Sequence, residues 1–426
     1  MRGKLVIFVL LLAVSGLLAG WKISHDPQCF IGGRATPADL ASVPPRRGFA
    51  FPREVRVCLT AAPVSQVQVT VDQPYTAQPY TAQSFTTQAP GVATKREPPG
   101  TVVVSVVPNG FRIGKRDFRG TSLEIVAERS PAIWVEDHEY RGRVRFLRQG
   151  AKKMVVVNVV PLEDYVASVV DGEMPAAFPE AARQAQAIVA RTYVLFQTQS
   201  ARGSSLYDVY ATTRSQNYLG YQYRGRDRRR YAAESASSRR AADQTAGMIC
   251  LSDGKLFCTY YTAVCGGQTA GGSDVFGDAV PALEPVACEG CRDAELYRWT
   301  QEIPAAEAAD VVRRYFAAHG KRFDSLASIR RVAATQNVRE PSFELSDGRR
   351  RERLSALEVR RLFPSAIHSF QFEAKVTQGQ LVIEGRGHGH GVGLCQWGAR
   401  GMARSGAGPL EILRHYYPGA EVVAAE

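Results

Sequence analysis

DGEMPAAFPEAARQAQAIVARTYVLF, residues 171–196, sets one carboxylate directly ahead of a strongly patterned helix. Met174 precedes Pro175, and the residue before a proline is pushed to extended backbone, so the order of residues places Glu173 on a loop or strand end. Pro179 suits a first helical position and Glu180 suits the positive N-terminal turn. Ala182, Ala185, Val189, Thr192 and Phe196 then recur on one face at helical spacing. A glutamate on a short, stiff connection over a helix is an acid group fixed in a cleft. Local sequence is equally compatible with a solvated surface glutamate, so the rest of the chain has to decide.

Upstream, residues 160–170 carry Leu162, Tyr165, Val166 and Val169 on one helical face, with Glu163 and Asp164 expected to be solvated on the other. Residues 55–60, 67–71, 102–107, 111–113, 123–126, 132–135, 143–147 and 154–159 read as short strands separated by turn signals such as Pro108-Asn109-Gly110. They predict an all-β subdomain over 51–160. Within it, 73–100 contains PYTAQPYTAQSFTTQ, which has no patterned apolar face and reads as a flexible insertion.

Downstream, 207–220 is loop-like, 231–245 reads as a basic, alanine-rich helix, and 257–264 as a strand. Helical patterns follow at 305–318 and 354–362, strands at 370–376 and 381–384, and a last helix at 407–416. The expected class is α+β, an all-β subdomain followed by a mixed α/β catalytic region over 161–426.

The chain has 426 residues, room for two or three domains, and a formal net charge of +12, which favours an anionic partner. Residues 1–4 are basic and 5–21 are almost unbroken apolar, so 1–24 reads as a signal peptide or membrane anchor, followed by a Pro- and Gly-rich tether over 25–50. Ala19 and Gly20 make a poor cleavage site behind Leu17 and Leu18, which favours the uncleaved anchor. Export excludes a nucleic-acid partner and directs the basic excess toward the cell envelope.

Eight cysteines in an exported chain are ordinarily disulfide partners. Cys265, Cys288 and Cys291 form a C-x22-C-x2-C arrangement that also suits zinc, with Cys258 as a fourth ligand if its strand turns the thiol inward. Both readings stand. GRGHGHGVG, residues 385–393, lacks the Lys-Ser/Thr pair of a phosphate loop. Its alternation reads as a strand with one bare face and with His388 and His390 on the other. A metal held by the two histidines lacks a third ligand, and His390 fits better as a substrate contact or general base, with a purely structural buried histidine as the other reading.

A lone Glu173 requires chemistry that needs one carboxylate. Glycoside hydrolysis ordinarily takes two. A transglycosylase acting on muramic acid manages with one, because the substrate's own 6-hydroxyl replaces water. The acid must be protonated near neutral pH, hence partly desolvated. Asp171, the only other acid close by, is expected to be structural.

PLEDYVASVVDGEMPAAFPEAARQAQAIVARTYVL, YDVYATTRSQNYLG, YYTAVCGGQTAGGSDVFG and GRGHGHGVGLCQWGARGMARSGAGPLEILRHYYPGAEV resemble, in order, successive blocks of the SpoIID/LytB family. The resemblance implies a peptidoglycan lytic transglycosylase, acting on glycan strands stripped of stem peptides and leaving 1,6-anhydromuramic ends. It implies Glu173 as the catalytic group and Gln186, Arg191, His390 and Gln396 as substrate-binding residues, although helical geometry puts Gln186 and Arg191 on different faces, which leaves a structural role open for one of them. No cofactor is required, although some members bind zinc. Here Gln268, Arg214 and Ser215 depart from the ligands those members use, while Cys265, Cys288 and Cys291 keep a structural zinc in play. The alternative is a non-catalytic peptidoglycan-binding enhancer of an N-acetylmuramoyl-L-alanine amidase. Either way the implied partners are glycan strands, an amidase, and the membrane through the N-terminal helix.

Overall fold

Valines alternating with polar residues build the first layers: the strand Gln66–Val71 buries Val67, Val69 and Val71 and turns Gln66 and Gln68 outward. The computed structural model describes residues 38–46, 52–80, 96–200, 206–332 and 342–425. The apolar run expected to form an anchor, and Cys29, lie outside them. Among the described residues no helix is long and apolar enough to cross a membrane.

One sheet of eight strands runs Arg230–Ala232, Gln222–Arg224, His138–Tyr140, Ile133–Val135, Gln66–Val71, Gly100–Val107, Gly110–Ile113, Arg116–Arg119. A second, of seven, runs Val209–Tyr210, Glu54–Cys58, Lys153–Pro161, Arg143–Gln149, Ser122–Ala127, Tyr75–Pro79, Arg96–Glu97. Both contribute to one apolar core that also takes side chains from the following helices. The packing is therefore continuous across residue 160, where the sequence suggested a boundary. Residues 73–100 are also not one insertion, because Tyr75–Pro79 pairs with Ser122–Ala127 and Arg96–Glu97 pairs with Tyr75–Pro79. Tyr75 and Ala77 supply the buried face that a repeat-based reading concealed. The tether is likewise shorter than expected, since Pro45–Arg46 pairs in parallel with Glu421–Ala425.

The helices are α1 (Ala38–Ala41), α2 (Leu162–Glu173), α3 (Glu180–Ser200), α4 (Ala236–Gln244), α5 (Gly272–Val275), α6 (Ala305–Ala318), α7 (Ala356–Leu362), α8 (Gln396–Arg404) and α9 (Pro409–Tyr416). Helix α3 is the hub. Ala187, Ala190, Val194 and Leu195 enter the core of the two sheets, while Ala182, Ala185, Ile188 and Val189 enter a second core built with α8, α9 and the cysteine-bearing loops. Each fully buried Val, Leu or Ile there contributes about 1.5–3 kcal/mol, so the helix is fixed from both sides. Residues 298–332 and 342–383 close a third core around α6 and α7.

Several local expectations change. Helix 231–245 begins only at Ala236, because Arg230–Ala232 is an edge strand and the Ser235 hydroxyl caps α4 by accepting from Ser238 N–H. The strand expected at 257–264 contracts to Tyr261–Thr262. GRGHGHGVG leaves the strand Gln380–Arg386 after its second residue: Gly387, Gly389, Gly391 and Gly393 all take left-handed φ, between 71° and 105°. Glycine at every second position permits that conformation, which a β-strand does not use.

Candidate active site

Glu173 is the last residue of α2, and Met174 behind it is extended at φ −127° and ψ 130°. The proline restriction therefore acts on Met174 and ends the helix there; Glu173 belongs to the helix rather than to a loop. Its half-buried carboxyl accepts a 2.7 Å hydrogen bond at Oε1 from the Asn217 main-chain N–H. Asn217 Nδ2 donates in turn to the Gly172 carbonyl at 2.7 Å, which lays the 211–220 loop over the end of α2. Burial raises the Glu173 pKa above the ordinary 4.5, opposed by the Asn217 N–H and by Tyr261 and Gln396 beside the carboxyl. The carbonyl-rich end of α2 acts in the same direction as burial, because a helix C-terminus disfavours negative charge.

Glu173 has polar neighbours from three distant segments. Strand Tyr261–Thr262 pairs in parallel with Leu394–Cys395, setting Tyr261 opposite Leu394 and next to Gln396 at the start of α8. Tyr261 Oη and Gln396 Nε2 lie close enough to the carboxyl to lower its pKa, yet they and Gln216 Nε2 are buried without a hydrogen bond of good geometry to any protein group. Gln216 uses its Oε1 to accept from the Tyr165 hydroxyl at 2.8 Å. Buried donors of this kind are costly unless something fills them, so they point to a polar ligand beside Glu173. Sequence reasoning missed Asn217, Tyr261 and Gln216. All three lie in blocks quoted above, and their place in those blocks was the available signal, since Gln216 and Asn217 sit in a run of polar residues.

The other acids nearby are committed elsewhere. Asp171 pairs with the buried guanidinium of Arg183 and accepts from the Ser235 N–H and from the Ser235 and Ser238 hydroxyls, both at 2.9 Å. Glu163 and Asp164 are not solvated as expected: Glu163 pairs with Arg191 and Asp164 with Arg239. Among the described residues no second carboxylate hydrogen-bonds or couples to Glu173.

Expected substrate-binding residues separate by environment. Gln396 lies beside the carboxyl without a hydrogen bond of good geometry to it. Arg191 is fully buried, bidentate to Glu163 at 2.9 and 2.5 Å, and donates to the Met248 and Ala242 carbonyls. It joins α2, α3, α4 and strand Met248–Leu251 and presents no surface to a ligand, contrary to expectation. Gln186 is also fully buried, with both amide atoms unpartnered. Among the described residues His390 makes no hydrogen bond to Glu173. Its Nδ1 accepts from Val392 N–H at 3.1 Å, and its ring stands edge-on to Phe276 and Tyr260. Burial lowers its pKa to about 4, and the Tyr261 main chain accepts from the ring. Neutral His390 thus braces the segment that carries Tyr261. His388 packs on His368 instead, so the two histidines do not share a ligand-binding face.

The cysteines also rearrange. Cys265, Cys288, Cys291 and Cys395 bring their sulfur atoms within 4.8 Å of one another, all buried. Cys258 stands apart, accepting from Gln197 Nε2 at 3.7 Å, and burial pushes its thiol up to about 12. It is therefore not the fourth member of the cluster.

Gly172 offers a check on the loop. A Cβ there would lie 2.1 Å from the Asn217 carbonyl oxygen. Gly172→Ala should lower stability by about 1–3 kcal/mol in a denaturant titration, as overpacking does; wild-type stability would mean that the loop is not seated on α2.

Residues 150–251 match the sequence profile of the stage II sporulation protein family, SpoIID. The chain is 31% identical over 321 residues to an uncharacterized protein of Brachyspira hyodysenteriae, covering 75% of this chain and 82% of that one. It is 27% identical to stage II sporulation protein D of Bacillus amyloliquefaciens, covering 63% of this chain and 76% of the relative. The amidase enhancer of Bacillus subtilis is 25% identical over 60% of this chain and 40% of its own length. Three of the four sequence blocks converge on the glutamate carried by the remaining one, and with these relatives they identify the chain as a member of the SpoIID/LytB family.

Proposed function

We propose that the protein is an exported lytic transglycosylase of the cell envelope that cleaves peptidoglycan glycan strands with Glu173 as its single general acid and base. The observation that carries this reading is a carboxyl kept toward its protonated form by burial, with no carboxylate partner among the described residues and three buried donors without a well-formed hydrogen bond at hand. In the first step Glu173 gives its proton to the glycosidic oxygen as the bond from C1 of the muramic residue breaks. The resulting carboxylate takes the proton from the 6-hydroxyl as that oxygen bonds to C1. Glu173 ends protonated as it began, and no water is consumed. Tyr261, Gln396 and Gln216 offer hydrogen bonds to hydroxyl or acetamido groups of the strand.

The amidase-enhancer relative favours a second reading, a wall-binding protein that stimulates an amidase without cutting glycan itself. The two separate in one experiment. Incubate the chain with purified glycan strands, with and without stem peptides, and analyse products by mass spectrometry. Anhydromuramic ends, formed preferentially from denuded strands, are the expected result. Intact strands together with faster amidase turnover would replace the first reading by the second.

A further inference from the structure

We propose that Cys265, Cys288, Cys291 and Cys395 bind one zinc ion, and that this ion ties the start of α8 to the 288–291 loop. The proposal does not depend on the transglycosylase reading. Cys265 Sγ and Cys291 Sγ are 3.7 Å apart. Four thiolates at about 2.3 Å from a tetrahedral zinc lie roughly 3.8 Å from one another. A disulfide would require about 2.05 Å, and all the described cysteines are free.

The surroundings suit thiolates. Cys395 Sγ accepts two main-chain bonds, from Cys265 N–H and from Gly398 N–H, each at 3.3 Å. Cys288 Sγ lies 3.1 Å from the Tyr416 hydroxyl. Such donors are the outer partners that orient metal-bound sulfur. The chain also makes room for the cluster: a Cβ on Gly398 would lie 1.9 Å from Tyr416 Oη and 2.5 Å from Cys288 Sγ, and one on Gly401 would lie 2.3 Å from the Gly290 carbonyl oxygen. The loop and α8 thus touch backbone to backbone. Soft sulfur ligands in a tetrahedron select zinc or iron, and an exported site with no redox task fits zinc.

Cys395 precedes Gln396, so the same ion would fix the residue that lies beside Glu173. The full chain, purified without chelator, should carry one zinc, and its four cluster thiols should resist alkylation until the metal is removed. Replacement by cobalt(II) should give the charge-transfer absorption of four thiolates. Cys395→Ser should weaken metal binding at least about tenfold and reduce the cobalt spectrum to three thiolates, while Cys258→Ser leaves both unchanged. Metal removal should expose the Cys265 and Gly398 amides to hydrogen exchange, because both donate to Cys395 Sγ. Metal-free protein with disulfides among the four, iron in place of zinc, or an unaltered cobalt spectrum in Cys395→Ser would each overturn the proposal. If Cys395→Ser does not fold, the zinc count and cobalt spectrum of the wild type decide.

Discussion

Glu173→Gln should reduce anhydromuramic product formation by about 10⁴-fold, toward the upper end for loss of general acid–base catalysis, because one group serves both proton transfers. Glutamine keeps an oxygen to accept the Asn217 N–H, so the site geometry should survive. The same substitution should stabilise the fold at neutral and alkaline pH. Burial raises the Glu173 pKa in the folded state above its ordinary 4.5. Below that value both folded and unfolded chains are protonated, and the residue has no net effect. As pH rises, the unfolded chain releases its proton first, and stability is lost progressively until pH passes the raised folded value. Glutamine never ionises and avoids the loss. Thermal melts of the two proteins should therefore coincide at low pH and separate above about 4.5, with the variant higher. Wild-type activity should fall on the alkaline side, through the same raised pKa, as the acid form is depleted. A variant that keeps substantial turnover, or melts that stay parallel across the range, would remove Glu173 from the role of buried acid.

Part of this site was legible before the fold: Glu173 and Gln396 were singled out, while Gln216, Asn217 and Tyr261 lay unmarked in blocks already quoted. Leu162, Tyr165, Val166 and Val169 did mark the buried face of α2, and 305–318 matched α6. What sequence could not supply was direction. The one-residue reach of the Pro175 restriction left Glu173 on a helix whose C-terminal end now bears on its charge. His390 and Arg191 were assigned by their place in a motif, but a motif does not say whether a side chain points into a cleft or holds two elements together. Arg191 became a buried tie because four of its five donors are met by Glu163 and two carbonyls from other elements. Helix α8 was overlooked because Gly398 and Gly401 weaken its helical pattern. Those glycines are needed for contact with Gly290, a long-range requirement invisible in a local window. Cys395 joined the thiol cluster through the same contact, a hundred residues from its partners in sequence.

Arg183→Met should cost about 3–5 kcal/mol and reduce turnover together with stability, the second large effect expected. Arg183 is buried; its Nη1 donates to the Met174 carbonyl at 3.0 Å and its Nη2 pairs with Asp171. Those two contacts bracket Glu173, one directly behind it and the other two residues ahead. Asp171 also holds the capping Ser235 of α4, so the arginine joins the end of α2 to the starts of α3 and α4. Methionine fills much of the volume but leaves a buried carboxylate with serine hydroxyls and one N–H as its only company, and leaves the Met174 carbonyl without its donor. Loss of one partner of a buried pair is expensive mainly because the other charge stays behind. Asp171→Asn in the same background should therefore recover part of the loss, so that the double variant is more stable than the sum of the single changes indicates. Denaturant titrations of the four proteins give that coupling, and turnover at matched folded fraction gives the effect on Glu173. Additive costs would show that Arg183 acts through packing alone. Recovered stability with turnover still depressed would show that the clamp, and not merely the fold, holds the acid against the Asn217 N–H.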